Sequence, residues 1–130
     1  MLEFTDKVIG KAEIEITENN IENIIVTSFE GGSNYWMGLD NSPVEWRNKP
    51  QDEPIATWAT KLILEGKELK LYDIEETEDD EEWVLTLDKL LKGIGLNAKH
   101  RSFDADLENM DATTADCIIQ FALFGEVVYG

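Results

Sequence analysis

The amino-acid sequence predicts an α+β fold, a small mixed or antiparallel sheet with about four helices packed mainly on one face. Two observations lead there. Apolar residues recur at helical spacing in four stretches, beginning near Glu18, Asp52, Leu87 and Ala112. Between and around them lie four short strand-like runs, without the regular βαβ alternation of a parallel sheet.

Residues 1 to 10 show no clear period. Lys11 to Thr17 alternates, with Ala12, Ile14 and Ile16 on one side and Lys11, Glu13 and Glu15 on the other, which reads as a half-buried strand. Thr17 then suits an N-cap, and Ile21, Ile24, Ile25 and Phe29 line one face of a helix running to about Glu30. Gly31 is expected to end it as a left-handed C′ residue. Gly31 to Pro50 is a long loop with a short strand at Tyr35 to Gly38. Asp52 can cap a second helix with Pro54 in its first turn. Its buried face is Ile55, Trp58, Ala59, Leu62 and Ile63, and Gly66 stops it.

Glu68 to Ile74 and Trp83 to Thr86 read as a hairpin whose tip, Glu75 to Glu82, holds seven acids. Leu87, Leu90, Leu91 and Ile94 make a short helix broken at Gly93 and Gly95, and 96 to 110 is irregular. Asp111 caps a helix from about Ala112 to Phe124 that is apolar on almost every side, as a central helix would be. Gly125 stops it, and Glu126 to Tyr129 closes the chain as a strand.

At 130 residues and 14.8 kDa the chain is expected to form one domain, 1–130, with a core that needs neither disulfide nor metal. A single cysteine, Cys117, excludes an intrachain disulfide and fits a reducing compartment. No run is long enough for a membrane span, and the N-terminus lacks a signal-peptide pattern, so the expected location is the cytoplasm. There are 28 acids against 11 bases, a formal net charge of −17 distributed along the chain. Such a surface repels nucleic acid and anionic membrane and attracts basic partners; solubility alone would also account for it.

Catalytic chemistry finds little footing. One histidine and one cysteine allow a single nucleophile–base pair, Cys117 with His100, and Cys117 sits among isoleucines as a structural residue would. No Cys/His set suits zinc. Asp104, Asp106, Glu108 and Asp111 superficially resemble a calcium loop, but Asn109 and Ala115 stand where that loop needs glycine and glutamate. GGSNYWMG is neither a dinucleotide fingerprint nor a phosphate-binding loop. The expectation is therefore a non-enzyme without metal or cofactor.

Recognition has better material. Gly31 and Gly32 offer bare backbone beside Asn34, Tyr35 and Trp36, and the same loop carries Trp46 and Arg47. Stacking surface with one cation suits a flat, nucleotide-like ligand, so these seven residues are the candidate binding site. The same aromatics could instead pin the loop to the core.

Four segments carry a resemblance: ITENNIENIIVTSFEGGSNYW (Ile16 to Trp36), LEGKELKLYDIEE (Leu64 to Glu76), LTLDKLLKGI (Leu85 to Ile94) and ATTADCIIQFALFGEVVYG (Ala112 to Gly130). The chain resembles a family of small acidic proteins encoded by bacteriophages and mobile elements of Firmicutes. The resemblance carries over no functional residue. It implies an accessory role of the kind that blunts host defence, in the host cytoplasm. Three readings follow: sequestering a nucleotide-like host signal through the Gly31 to Trp36 turn, within a homo-oligomer; acting as an acidic DNA mimic or inhibitor of a basic host defence protein; or serving as a structural or regulatory phage protein without a defence role. Direct nucleic-acid and membrane partners are not expected.

Overall fold

The structure, a computed structural model, describes residues 2–75 and 82–130. Among the described residues there are four α-helices and one antiparallel three-stranded sheet, an α+β fold. The helices are α1 (Glu18–Thr27), α2 (Ile55–Leu64), α3 (Leu87–His100) and α4 (Ala112–Phe124). The strands β1 (Met37–Asp40), β2 (Leu69–Asp73) and β3 (Glu82–Leu85) lie in the order β1-β2-β3. No helix among the described residues is long and apolar enough to cross a membrane.

Directly opposed residues in an antiparallel pair share a face. The register therefore puts Leu39, Leu71 and Trp83 on one side, joined by Leu69 and Leu85. Leu69, Leu71 and Leu85 are fully buried there, whereas Lys70 and Tyr72 on the other side are exposed. Tyr72 lays its ring across Gly38, where a Cβ would lie 2.3 Å from it. The buried face meets the core formed by Ile21, Ile24 and Ile25 of α1, Ala59, Leu62 and Ile63 of α2, Leu90 and Ile94 of α3, and Ile118 and Ile119 of α4.

Helix starts follow their local chemistry. Thr17 and Asp111 form reciprocal capping boxes with Asn20 and Thr114, and Thr86 caps α3 through Lys89 N–H. Gly125 ends α4 in the left-handed conformation at φ 76°.

Several expectations need correction. Lys11 to Thr17 is not a half-buried strand: residues 2–17 have no regular structure, and residues 2–15 are exposed. A strand needs a neighbouring strand to share its hydrogen bonds, and among the described residues none pairs with this segment. Gly31 is not a left-handed stop, because α1 runs on into a π-helical turn, Ser28–Gly32, closed by Ser33 N–H to Ser28 O at 2.7 Å. The strand expected at Tyr35 to Gly38 starts two residues later, at Met37. Helix α2 begins after Pro54 with no side-chain cap, so Asp52 does not cap it. Helix α3 continues through Gly93 and Gly95 to His100. Residues 126–130 form no strand. Most of the acidic hairpin tip, 76–81, lies outside the described residues.

The glycines that fail as breakers serve close packing. A Cβ on Gly93 would lie 2.5 Å from Ile118 O, and one on Gly32 would lie 2.6 Å from Ala112 O. Both contacts are with α4 backbone, which cannot step aside. Gly31, by contrast, has open space where a Cβ would point. Gly32→Ala should therefore cost about 1–3 kcal/mol in urea unfolding. Gly31→Ala should leave stability unchanged or slightly raised; equal losses at both positions would contradict this packing.

Candidate functional site

Beyond Thr114 in its capping turn, helix α4 contains two buried polar side chains one turn apart, Asp116 and Gln120, set in an apolar run. Their partners come from both ends of the chain. Ser33 Oγ and Trp36 Nε1 donate to Asp116 Oδ1, each at 2.8 Å. Tyr35 Oη donates to Oδ2 at 2.7 Å, and Gln120 Nε2 to the same oxygen at 3.1 Å. These four donors fill the acceptor capacity of a carboxylate. The π turn delivers three of them, since it sets the phase in which Ser33, Tyr35 and Trp36 reach α4.

Gln120 continues the network toward the C-terminus. Its Oε1 accepts from Val128 N–H and Tyr129 N–H, both at 2.7 Å, and its Nε2 also donates to Tyr129 O at 3.2 Å. A side-chain amide thus stands in for a strand partner, which is why residues expected to form a strand are held without one. Tyr129 stacks on Trp36 at 4.7 Å between centroids, and Trp83 and Phe124 meet the same indole at 5.4 and 5.6 Å.

Beside this network lies a depression of about 440 Å³, bounded by Gly31, Gly32, Tyr35, Ala112, Thr113, Asp116, Cys117, Val127, Tyr129 and Gly130. That volume falls in the range of small-molecule sites. Its lining combines Gly31, Gly32 and Gly130 with Thr113, Tyr35 and Tyr129, and contains no lysine or arginine. The Tyr35 ring is half exposed, while its hydroxyl is withdrawn from water and bonded to the Asp116 carboxylate. Those causes, in that order, push its pKa up to about 12. Burial likewise raises the Cys117 thiol, so it is not a primed nucleophile.

The seven residues expected to form one site are divided. Gly31, Gly32 and Tyr35 border the depression. Trp36 stands behind it, 2% exposed, holding the Asp116 carboxylate rather than facing solvent. Asn34 is exposed but outside the lining. Trp46, 8% exposed, belongs to the core, and neither it nor the exposed Arg47 borders the depression. Asp116, Gln120 and Tyr129 were the residues sequence reasoning missed. Two polar side chains four residues apart on the most apolar helix were the available signal.

Other candidates prove structural. Arg101 pairs with Asp104 at 2.8 Å and donates to Asn97 Oδ1 at 3.0 Å. Asp104 also lies 2.8 Å from the Thr114 hydroxyl, so Asp104 and Asp111 serve the start of α4, while Asp106 bonds within its own loop and Glu108 accepts from Asn20 of α1. Among the described residues no group of three or more His, Cys, Asp or Glu side chains is arranged to hold a metal ion. His100 stacks on Phe121 at 5.8 Å. Comparison with known proteins finds no matching family profile, no similar curated protein and no similar solved structure.

Asp116→Asn should test the network directly. An amide cannot accept from all four donors, and its own NH₂ would face some of them, so the loss should be about 3 kcal/mol in urea unfolding. The tyrosine titration adds a second readout. With its folded pKa raised above its unfolded value, Tyr35 contributes stability that is fully present below pH 10 and lost as pH rises toward about 12. Phenolate absorbance of the wild type should show Tyr35 titrating late, and Asp116→Asn should move it part of the way down, since burial, the larger cause, remains. A titration unmoved by the variant would assign the whole shift to burial.

Proposed function

We propose that this chain is a non-catalytic binding protein that seats a small, nucleobase-bearing molecule in the depression beside Gly31 and Gly32. The observation that carries this reading is the depression itself: bare backbone, hydroxyls and tyrosine faces adjoin the turn that the sequence singled out. Tyr35 donates its hydroxyl to Asp116, which fixes the half-exposed ring as a flat face on which a base can stack. Without a cation in the lining, phosphates of a nucleotide would point outward to solvent. Combined with the phage-type resemblance, the biological use proposed is cytoplasmic counter-defence by sequestering a nucleotide-like host signal.

A second reading has its own support. Among the described residues only two ion pairs form, Lys61–Glu65 and Arg101–Asp104, so most carboxylates of a −17 chain face water uncompensated. That field suits an acidic inhibitor, such as a DNA mimic, lodged on a basic host defence protein.

Ionic strength separates the two by sign. A thermal-shift panel of nucleosides, nucleotides and cyclic nucleotides should give one responding class, with about 2.7 kcal/mol added at a hundredfold excess over Kd. For an anionic ligand the shift should grow with salt, because screening removes repulsion, whereas a basic protein partner would bind more weakly. Gly31→Leu, which fills the depression from open space, should abolish the shift without unfolding the chain. A flat panel, or a response untouched by that variant, would sink the small-ligand reading.

A further inference from the structure

The N-terminal segment is apolar where nothing covers it. Phe4 is 92% and Ile9 97% exposed, and Leu2, Val8 and Ile14 stand open as well. Within the fold its alternation extends further than Lys11 to Thr17. Leu2, Phe4, Val8, Ala12, Ile14 and Ile16 fall on one side of an extended chain, interrupted by Asp6 and Gly10, and Glu3, Thr5, Lys7, Lys11, Glu13 and Glu15 on the other, interrupted by Ile9; these three breaks are why residues 1 to 10 read as aperiodic by themselves. This is the pattern of a strand with one buried face. Only its last member, Ile16, packs against the core of its own copy.

The sheet offers one open edge for such a strand. Ile74 N–H donates to Trp36 O at 3.2 Å, which fixes the phase of the ladder between β1 and β2. Gly38 and Asp40, opposite Tyr72 and Lys70, then direct their backbone groups to β2. Met37 and Leu39 direct theirs outward. Met37 N–H is taken by Ser33 O at 3.1 Å, leaving Met37 C=O and both groups of Leu39 facing away from the sheet. On the far edge the same alternation turns Val84 C=O outward, and Lys89 Nζ covers it at 2.6 Å. A lysine is a common guard of a strand edge. β1 itself, Met37–Asp40, contains no proline or lysine.

We propose that the N-terminal segment, within residues 2–14, pairs as a strand with the β1 edge of a second copy of this chain, giving a reciprocal, two-fold dimer. A second copy fits because each chain carries both the unpaired strand and the open edge, so the exchange closes on itself. Among the described residues no strand pairs with the outer side of β1, and residues 2–15 of the same copy are exposed. Charge allows the approach, since residues 2–17 carry four acids and two lysines, a share of −2 in the chain's −17. Leu2, Phe4 and Val8 would then continue the apolar side formed by Met37 and Leu39.

Prolines provide the test, because they fit an extended segment without regular structure but cannot donate to a ladder. Asp6, Lys7, Lys11 and Ala12 would all be replaced by proline in the full chain. Two adjacent pairs cover both registers and keep every large apolar residue. Light scattering across a concentration series should give the wild type twice the 14.8 kDa chain mass. The proline variant should stay at the single-chain mass with the same helical circular dichroism. A wild type that remains single at every concentration, or a variant that dimerises equally well, overturns the proposal. So does a single-chain wild type whose melting temperature falls on proline substitution, which would mean pairing within one copy.

Discussion

A carboxylate buried in the most apolar helix is the constraint on which the rest of this structure turns. Isolated, Asp116 would carry a desolvation cost of several kcal/mol. It is tolerated because four donors reach it, three of them from residues 80 to 83 positions earlier in the chain. The requirement runs both ways. Ser33, Tyr35 and Trp36 can present their donors only if the chain leaves α1 in the right phase, and the π turn supplies that phase. A carboxylate suits the place better than an amide because it accepts at both oxygens and has no proton of its own to misplace.

Gln120 extends the same logic to the C-terminus, and the aromatic rings close over the result. Trp36 is shared by both systems: its Nε1 serves the carboxylate, and its ring face carries Tyr129. The depression is a by-product of this geometry. Gly32 has to come against Ala112 O for the loop to reach Asp116, and the same bare backbone leaves room beside Gly31. Stability and the candidate site thus draw on the same residues, so a probe of binding must be placed at the edge. Gly31 has open space around it; Asp116 and Trp36 do not.

Legibility followed the range of the physics involved. Helices α1, α2 and α4 were readable because their apolar spacing and flanking signals, Thr17, Gly66 and Asp111 among them, are local. The hairpin strands β2 and β3 were readable from their short β-rich runs. Gly93 was misread as a breaker because its value lies in the approach of α3 to Ile118 O, a contact remote in sequence. Residues 126–129 look like a strand, but their hydrogen-bonding partner is a side chain on α4. Trp46 and Arg47 are neighbours in the chain, and no local pattern reports that one turns into the core while the other faces solvent.

The strand pattern at the N-terminus is a different kind of departure. Lys11 to Thr17 carries the alternation of a strand and lacks only something to pair with. Propensity and pattern describe what a segment would bury, while a single copy decides what is available to bury it against. The strongly negative surface bears on the same point, since long-range repulsion between copies disfavours casual association. Contact between copies then has to come from short-range pairing at a segment of low net charge, where backbone hydrogen bonds and apolar side chains act together. An exposed alternating segment beside an unguarded edge meets that condition; the acid-rich remainder of the surface does not.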